Sequence, residues 1–208
     1  MLKALEAVGV HFEIENLNSF RKLREPCVFV SNHMSTLETF ILTPIIEPYR
    51  EITYVIKESL VKYPIFKHIM LNQNPVIVTR KNPKEDLRIV LKEGQDRLKK
   101  NISVVVFPQT TRSVSFNPAE FNSIGVKLAV RAEVPVIPVA LKTDAWGNSR
   151  RFIKDFGPID PSKPVHIRFG EPIRIEGNGR AEHEQIVGFI QASLEEWERA
   201  DLPVSSCT

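Results

Sequence analysis

The sequence predicts an α/β fold: a single domain with a mostly parallel, helix-covered sheet of about seven strands. Three observations predict it. Short runs rich in Val and Ile recur along the chain, and several are apolar throughout rather than alternating, as in strands buried on both faces. Amphipathic stretches of helical length fall between them. The 208 residues, 42% hydrophobic and 25% charged, suit one domain with a substantial core and not a disordered chain.

The expected strands are residues 10–14, 27–31, 53–56, 76–79, 103–107, 134–141 and 166–169. Residues 36–46 and 124–132 are expected to be helical. So are 84–99, where Leu87, Val90, Leu91 and Leu98 share one face and Asn82-Pro83-Lys84-Glu85 supplies an N-cap followed by proline at the first helical position. A last helix over 182–199 carries Ile186, Phe189, Ile190, Leu194 and Trp197 on one stripe. Prolines in Val134-Pro135-Val136-Ile137-Pro138-Val139 predict an edge or bulged strand forming a pocket wall, with a locally irregular core strand as the alternative. Residues 144–164 read as a long loop. The domain is expected to fill 1–208, with its core at about 10–172 and a frayed tail at 201–208.

Bulk features exclude several classes. Cys27 and Cys207 lie at opposite ends, so a reducing compartment without disulfides is expected. No C-x-x-C or H-E-x-x-H run suggests a metal, no G-x-S-x-G suggests a serine hydrolase, and the dispersed cations speak against nucleic acid. The first residues, MLKALEAVGVHFEIEN, resemble neither a signal peptide nor a membrane span, and no later run is long enough to cross a bilayer. The net charge of +3 fits contact with anionic lipid and plain solubility alike.

The chemistry concentrates at the ends of the expected strands. Ser31-Asn32-His33-Met34-Ser35-Thr36-Leu37-Glu38 follows one strand and opens a helix, so His33 sits where open α/β sheets place their ligands. Histidine there can accept a proton near neutral pH if a carboxylate holds its tautomer. His33 and Glu38 would lie about 140° apart on one continuous helix, so they meet only if His33 precedes the helix and Glu38 reaches back. Ser35-Thr36-Leu37-Glu38 is equally a capping box, which would employ the same carboxylate. Phe107-Pro108-Gln109-Thr110-Thr111-Arg112-Ser113, after another strand, offers an arginine and hydroxyls to a phosphate, and Pro75-Val76-Ile77-Val78-Thr79-Arg80 brings a second arginine to the same edge. For each arginine taken singly, a surface salt bridge is the competing expectation. Between 57 and 70, Lys57, Leu60 and Phe66 suggest an acyl groove or a lipid-facing surface, or else a helix packed on the core. Lys142, Arg150, Arg151 and Lys154, beside Trp146 and Phe152, form either an interfacial anchor or a solvated loop.

NHMSTLE, PVIVTR, FPQTTRS and VPVIPVAL resemble, in order and spacing, the four motif blocks of the glycerolipid acyltransferase family, which includes the 1-acylglycerol-3-phosphate type. The resemblance runs from about Val10 to Pro172. It implies direct transfer of a fatty acyl group from acyl-CoA or acyl-carrier-protein to a lysophospholipid hydroxyl, with 1-acylglycerol-3-phosphate the default acceptor. It makes His33 the general base and Glu38 its orienting carboxylate, assigns Arg80 and Arg112 to the acceptor phosphate, and requires no cofactor and no metal; the Thr111 hydroxyl, in the turn that carries Arg112, is a further candidate for that phosphate. Many relatives carry an additional hydrophobic N-terminal segment. This chain starts almost at its first strand, so a cytoplasmic protein, peripheral to the cytoplasmic face of the membrane, is expected. Two departures stand out: Glu38 replaces the family's aspartate, and Gln109 and Thr110 replace Glu and Gly of F-P-E-G-T-R. They leave open another lyso-lipid acceptor, or an inactive lipid-binding homologue.

Overall fold

The computed structural model describes residues 2–61, 73–109, 111–147 and 157–201. Its elements run α1 (Leu2–Ala7), β1 (Phe12–Glu15), α2 (Asn18–Arg21), β2 (Val28–Ser31), α3 (Leu37–Ile46), β3 (Ile52–Lys57), α4 (Glu58–Val61), β4 (Val76–Val78), α5 (Pro83–Lys99), β5 (Ser103–Val106), a 3-10 turn (Pro118–Glu120), α6 (Ile124–Ala132), β6 (Val136–Lys142), β7 (Val165–Phe169) and α7 (Arg180–Ala200). The seven strands form one sheet in the order β1-β7-β6-β2-β5-β3-β4. β2 to β6 are mutually parallel, whereas β7 pairs antiparallel with β6 and parallel with β1.

The uninterrupted apolar strands are explained by helices on both faces. Along β2 and β5, Phe29 and Val105 pack with Phe20, Phe40, Ile41 and Ile137 on the side of α1 to α3. Their neighbours Val28, Val30, Val104 and Val106 pack with Val90, Val126, Leu128 and Ile190 on the side of α5 to α7. Two glycines set the approach of these helices. A Cβ on Gly125 would lie 2.5 Å from Val30 Cγ2, and one on Gly94 would lie 2.8 Å from Leu128 Cδ2. The start of α5 is capped as its sequence predicts, with Asn82 Oδ1 accepting from the amides of Lys84 and Glu85 and Pro83 in the first turn.

The proline-containing strand corrects the expectation of an edge. β6 lies inside the sheet between β2 and β7. Pro135 precedes the strand and uses only its carbonyl, which accepts from Val28 N. Pro138 meets the point where β7 ends, and its carbonyl accepts from Gly170 N at 2.7 Å, so its missing N–H removes a bond only beyond the regular ladder. Gly170 fits because a Cβ there would come within 3.0–3.2 Å of the Pro138 ring.

The short helices α1 and α2 have no counterpart among the expected elements, whereas α4 falls at the start of the stretch 57–70, for which a helix packed on the core is one of the expectations. Leu60 and Trp146 pack as partly buried side chains against the α1–α3 side of the core, and Lys57 is the exposed last residue of β3. Within 144–164, Trp146 and Ile159 form an antiparallel bridge. Phe66, Arg150, Arg151, Phe152 and Lys154 lie outside the described residues. No helix among the described residues is long and apolar enough to cross a membrane.

Candidate active site

Because β2 to β6 are parallel, their carboxyl ends share one edge of the sheet. That edge collects His33 after β2, Arg80 after β4, residues 107–109 and 111–113 after β5 and Thr143 after β6. His33 lies in the loop ahead of α3, and Glu38 is the second residue of that helix. Glu38 therefore reaches back, and its Oε2 meets His33 Nδ1. Its other oxygen accepts from the amides of Met34 at 2.6 Å and Ser35 at 2.8 Å, and from Thr143 Oγ1 at 2.8 Å. The two uses expected of this carboxylate coexist, one oxygen capping the turn and the other holding the imidazole. Ser35 Oγ meanwhile accepts from Leu37 N at 3.2 Å, so the serine contributes to the helix start as well.

Glu38 is fully buried, while the His33 side chain keeps 20% of its surface exposed. An ionised carboxylate only accepts hydrogen bonds, which puts the imidazole proton on Nδ1 and leaves the Nε2 lone pair to act on a substrate. The ring stacks on Phe107, with centroids 4.4 Å apart and planes 23° from parallel.

The main chain of His33 is clamped from both sides. Its N–H donates to Gln109 Oε1 at 2.7 Å, and its carbonyl accepts from Ser113 N at 2.9 Å. Gln109 is 2% exposed, so this side chain is committed to the loop that carries the imidazole. One residue earlier, the Asn32 amide extends the β2–β6 ladder: Leu141 N donates to Oδ1 at 2.8 Å, and Nδ2 donates to Leu141 O at 2.7 Å.

Both expected arginines reach this neighbourhood. The Arg112 guanidinium donates to Thr36 Oγ1, directly before α3. Arg80 donates to the carbonyl of Gln109 at 3.3 Å. Its backbone is left-handed, with φ of 60°, and is held there by Asp86, whose carboxylate accepts from the amides of Thr79 at 2.9 Å and Arg80 at 2.8 Å. Thr111 is exposed on the same loop.

A cleft of about 320 Å³ opens beside Phe107, between α5, α6 and the sheet. Val55, Val78, Leu87, Val90 and Val106 make it largely apolar, with Arg80 and Lys127 also on its wall. Lys57 and Leu60, expected at an acyl pocket or an interface, do not line this cleft. Among the described residues, no group of three or more His, Cys, Asp or Glu is placed to hold a metal ion.

Sequence inspection misses three contributors. Thr143 is flagged only by its position at the end of an apolar strand on the reactive edge. Gln109 stands out as a departure from a motif but not as the acceptor for His33 N. Asp86 is hidden beside Glu85 in a helix start that needs only Asn82 for its cap.

Comparison with known proteins adds an independent line. A model of the Acyltransferase family matches residues 10–142, a span that includes His33, Glu38, Arg80, Arg112 and β6. A 1-acyl-sn-glycerol-3-phosphate acyltransferase of Pseudomonas aeruginosa is 31% identical over 171 residues, covering 82% of this chain and 62% of that protein. One from Cocos nucifera is 24% identical over 164 residues, covering 79% of this chain and 50% of that protein. The chain thus spans between half and two thirds of the length of these relatives. The crystal structure of the 1-acyl-sn-glycerophosphate (LPA) acyltransferase PlsC from Thermotoga maritima superposes with a TM-score of 0.71 at 20% identity, covering 95% of this chain and 76% of that one, a likeness of fold. With the family model matched over more than half of its length, the chain belongs to the acyltransferase family.

Proposed function

We propose that this chain transfers a fatty acyl group from acyl-CoA or acyl-carrier-protein to the hydroxyl of 1-acylglycerol-3-phosphate. The observation that carries the proposal is the contact of His33 Nδ1 with the buried Glu38 carboxylate, at an edge shared with Arg80 and Arg112. In this mechanism Nε2 takes the proton of the acceptor hydroxyl as its oxygen attacks the thioester carbonyl. The C–O bond forms, the C–S bond breaks, and the imidazolium returns the proton to the departing thiolate. Glu38 stabilises the imidazolium and fixes its ring, so the base needs no reorientation between the two proton transfers.

Arg112 and Arg80 are assigned to the acceptor phosphate, which a guanidinium can bind through paired hydrogen bonds. Thr111, exposed beside Arg112, is a further donor to it. The cleft next to Phe107 suits an acyl chain, being apolar and within the size range of ligand pockets. No cofactor or metal enters this scheme. Both substrates are lipids or carry lipid chains, which makes the protein a peripheral one at the cytoplasmic face of a membrane. Val114, 59% exposed and two residues from Arg112, is suited to touch that surface. The Gln109 side chain faces the His33 amide, so its replacement of a glutamate gives no reason to prefer a different head group.

The test is a mass-spectrometric assay of purified protein with lysophosphatidic acid, other lysophospholipids and monoacylglycerol, each with acyl-CoA and with acyl-carrier-protein. Phosphatidic acid is the expected main product. Absence of esterification throughout, or equal use of monoacylglycerol, overturns the proposal.

A further inference from the structure

Thr143 follows β6 at the sheet edge that carries His33, and it is fully buried. Hydrogen-bond accounting fixes the direction of every proton around it. The Glu38 carboxylate is acceptor-only, so Thr143 Oγ1 must donate to Oε1 across their 2.8 Å contact. Thr143 Oγ1 then accepts from Ser35 Oγ at 2.9 Å, and Ser35 Oγ accepts in turn from Leu37 N at 3.2 Å. A backbone amide, two hydroxyls and a carboxylate form one aligned chain ending on the group that holds the imidazole. Such a chain strengthens its members when each is satisfied. Strand β6 is itself locked to the histidine loop through the Asn32 clamp on Leu141, two residues before Thr143.

We propose that Thr143 is a positioning residue that holds the Glu38 carboxylate aimed at His33 Nδ1, an assignment that rests on the acyl-transfer mechanism above. When His33 is neutral and ready to act as base, Glu38 lacks a cationic partner, and its charge rests on Met34 N, Ser35 N and the Thr143 hydroxyl. Removing the hydroxyl destabilises that state relative to the imidazolium form, in which the cation compensates the carboxylate. The base form of the enzyme therefore appears only at higher pH. The other charged groups near the dyad are Arg112, through Thr36, and Arg80, through the Gln109 carbonyl. Lys142 and Asp144 flank Thr143, and they share a cleft with Met34, Glu195, Glu198, Arg199 and Asp201 of the α7 end. All of these groups are retained in the variants below.

The experiment uses the full chain with Thr143→Val, Thr143→Ala and Thr143→Ser. Val and Ala remove the hydroxyl, and Ser keeps it while removing the methyl. Loss of the hydroxyl is expected to lower kcat about tenfold and to move the acid limb of the pH–kcat profile upward. KM for lysophosphatidic acid is expected to stay within about twofold, and Thr143→Ser to recover most of kcat and the original profile. Valine and alanine variants that keep the wild-type kcat and pH profile overturn the proposal, as does a serine variant as impaired as alanine. If one hydroxyl-free variant does not fold, the comparison of the other with serine decides. An NMR measurement of the His33 ring nitrogens reads the same positioning without turnover, with the Nδ1–H tautomer expected in wild type and Thr143→Ser and depleted in the hydroxyl-free variants. Wild-type protein inactive on every lysolipid would overturn the acyl-transfer proposal, and the NMR tautomer measurement would still judge Thr143.

Discussion

Replacing Glu38 with glutamine changes charge at nearly constant volume, at a position whose four hydrogen bonds are all identified. One oxygen serves Met34 N, Ser35 N and Thr143 Oγ1, and the amide oxygen of glutamine can continue to do so. The other atom becomes an NH2 facing His33 Nδ1, where two donors cannot coexist. The imidazole must then carry its proton on Nε2, which turns the nitrogen meant to accept the substrate proton into a donor. The corresponding Asp→Asn change in a serine protease triad, which acts through the same wrong tautomer, lowers kcat about 10⁴-fold. Glu38→Gln is therefore expected to lower kcat by about 10³- to 10⁴-fold, equivalent to roughly 4–5.5 kcal/mol of transition-state stabilisation. KM for lysophosphatidic acid should be little affected, because the carboxylate is buried behind the histidine. The assay is steady-state phosphatidic acid formation by the purified variant, with unchanged circular dichroism as the control for folding. A kcat within about threefold of wild type would refute the assignment of Glu38 as the group that fixes the tautomer.

Three other outcomes follow from the same structure. Arg112→Ala is expected to raise KM for lysophosphatidic acid about 10- to 100-fold, the loss of a charge-assisted phosphate contact, while residual turnover of monoacylglycerol stays unchanged in the same assay. Gly125→Ala sets a methyl 2.5 Å from Val30 Cγ2 between α6 and β2. It should cost about 1–3 kcal/mol of stability, read as a lower urea midpoint. Burial raises the Cys27 thiol from its ordinary value of 9.0 to about 11. The folded state thus favours the neutral thiol, and that contribution is fully present below pH 9 and lost as pH rises towards about 11. A Cys27→Ala variant should show a flatter decline of stability across that alkaline window in urea titrations.

The sequence is informative where a local rule coincides with a tertiary demand. Strands buried on both faces must be apolar throughout, so β2, β5 and β6 stand out as Val-rich runs, and α5 is announced by Asn82-Pro83. The proline rule misleads at β6, because it treats a strand as paired along its whole length. Here Pro135 lies before the strand, and Pro138 faces the point where its neighbour ends. Short α1 and α2 span too few turns to display a period.

At the active edge, the five-residue spacing from His33 to Glu38 allows contact only from a loop into the first turn of a helix, and that is the arrangement found. Gln109 and Thr143 are illegible as partners because each meets its target only after strands distant in sequence are aligned, whereas Asp86 reaches back just seven and six residues to the amides of Thr79 and Arg80 and is hidden by the capping signal beside it. Thr143 is 105 residues from the carboxylate it donates to, and Gln109 is 76 residues from the histidine amide it accepts. No periodicity or motif spacing encodes such a pairing. It emerges from the β2–β6 and β2–β5 registers.

The most direct measurement is phosphatidic acid formation by purified His33→Ala protein at saturating lysophosphatidic acid and acyl-CoA. With the imidazole removed, turnover is predicted to fall by at least about 10³-fold while the variant remains folded. A His33→Ala protein that forms phosphatidic acid at the wild-type rate would contradict the role of His33 as the base.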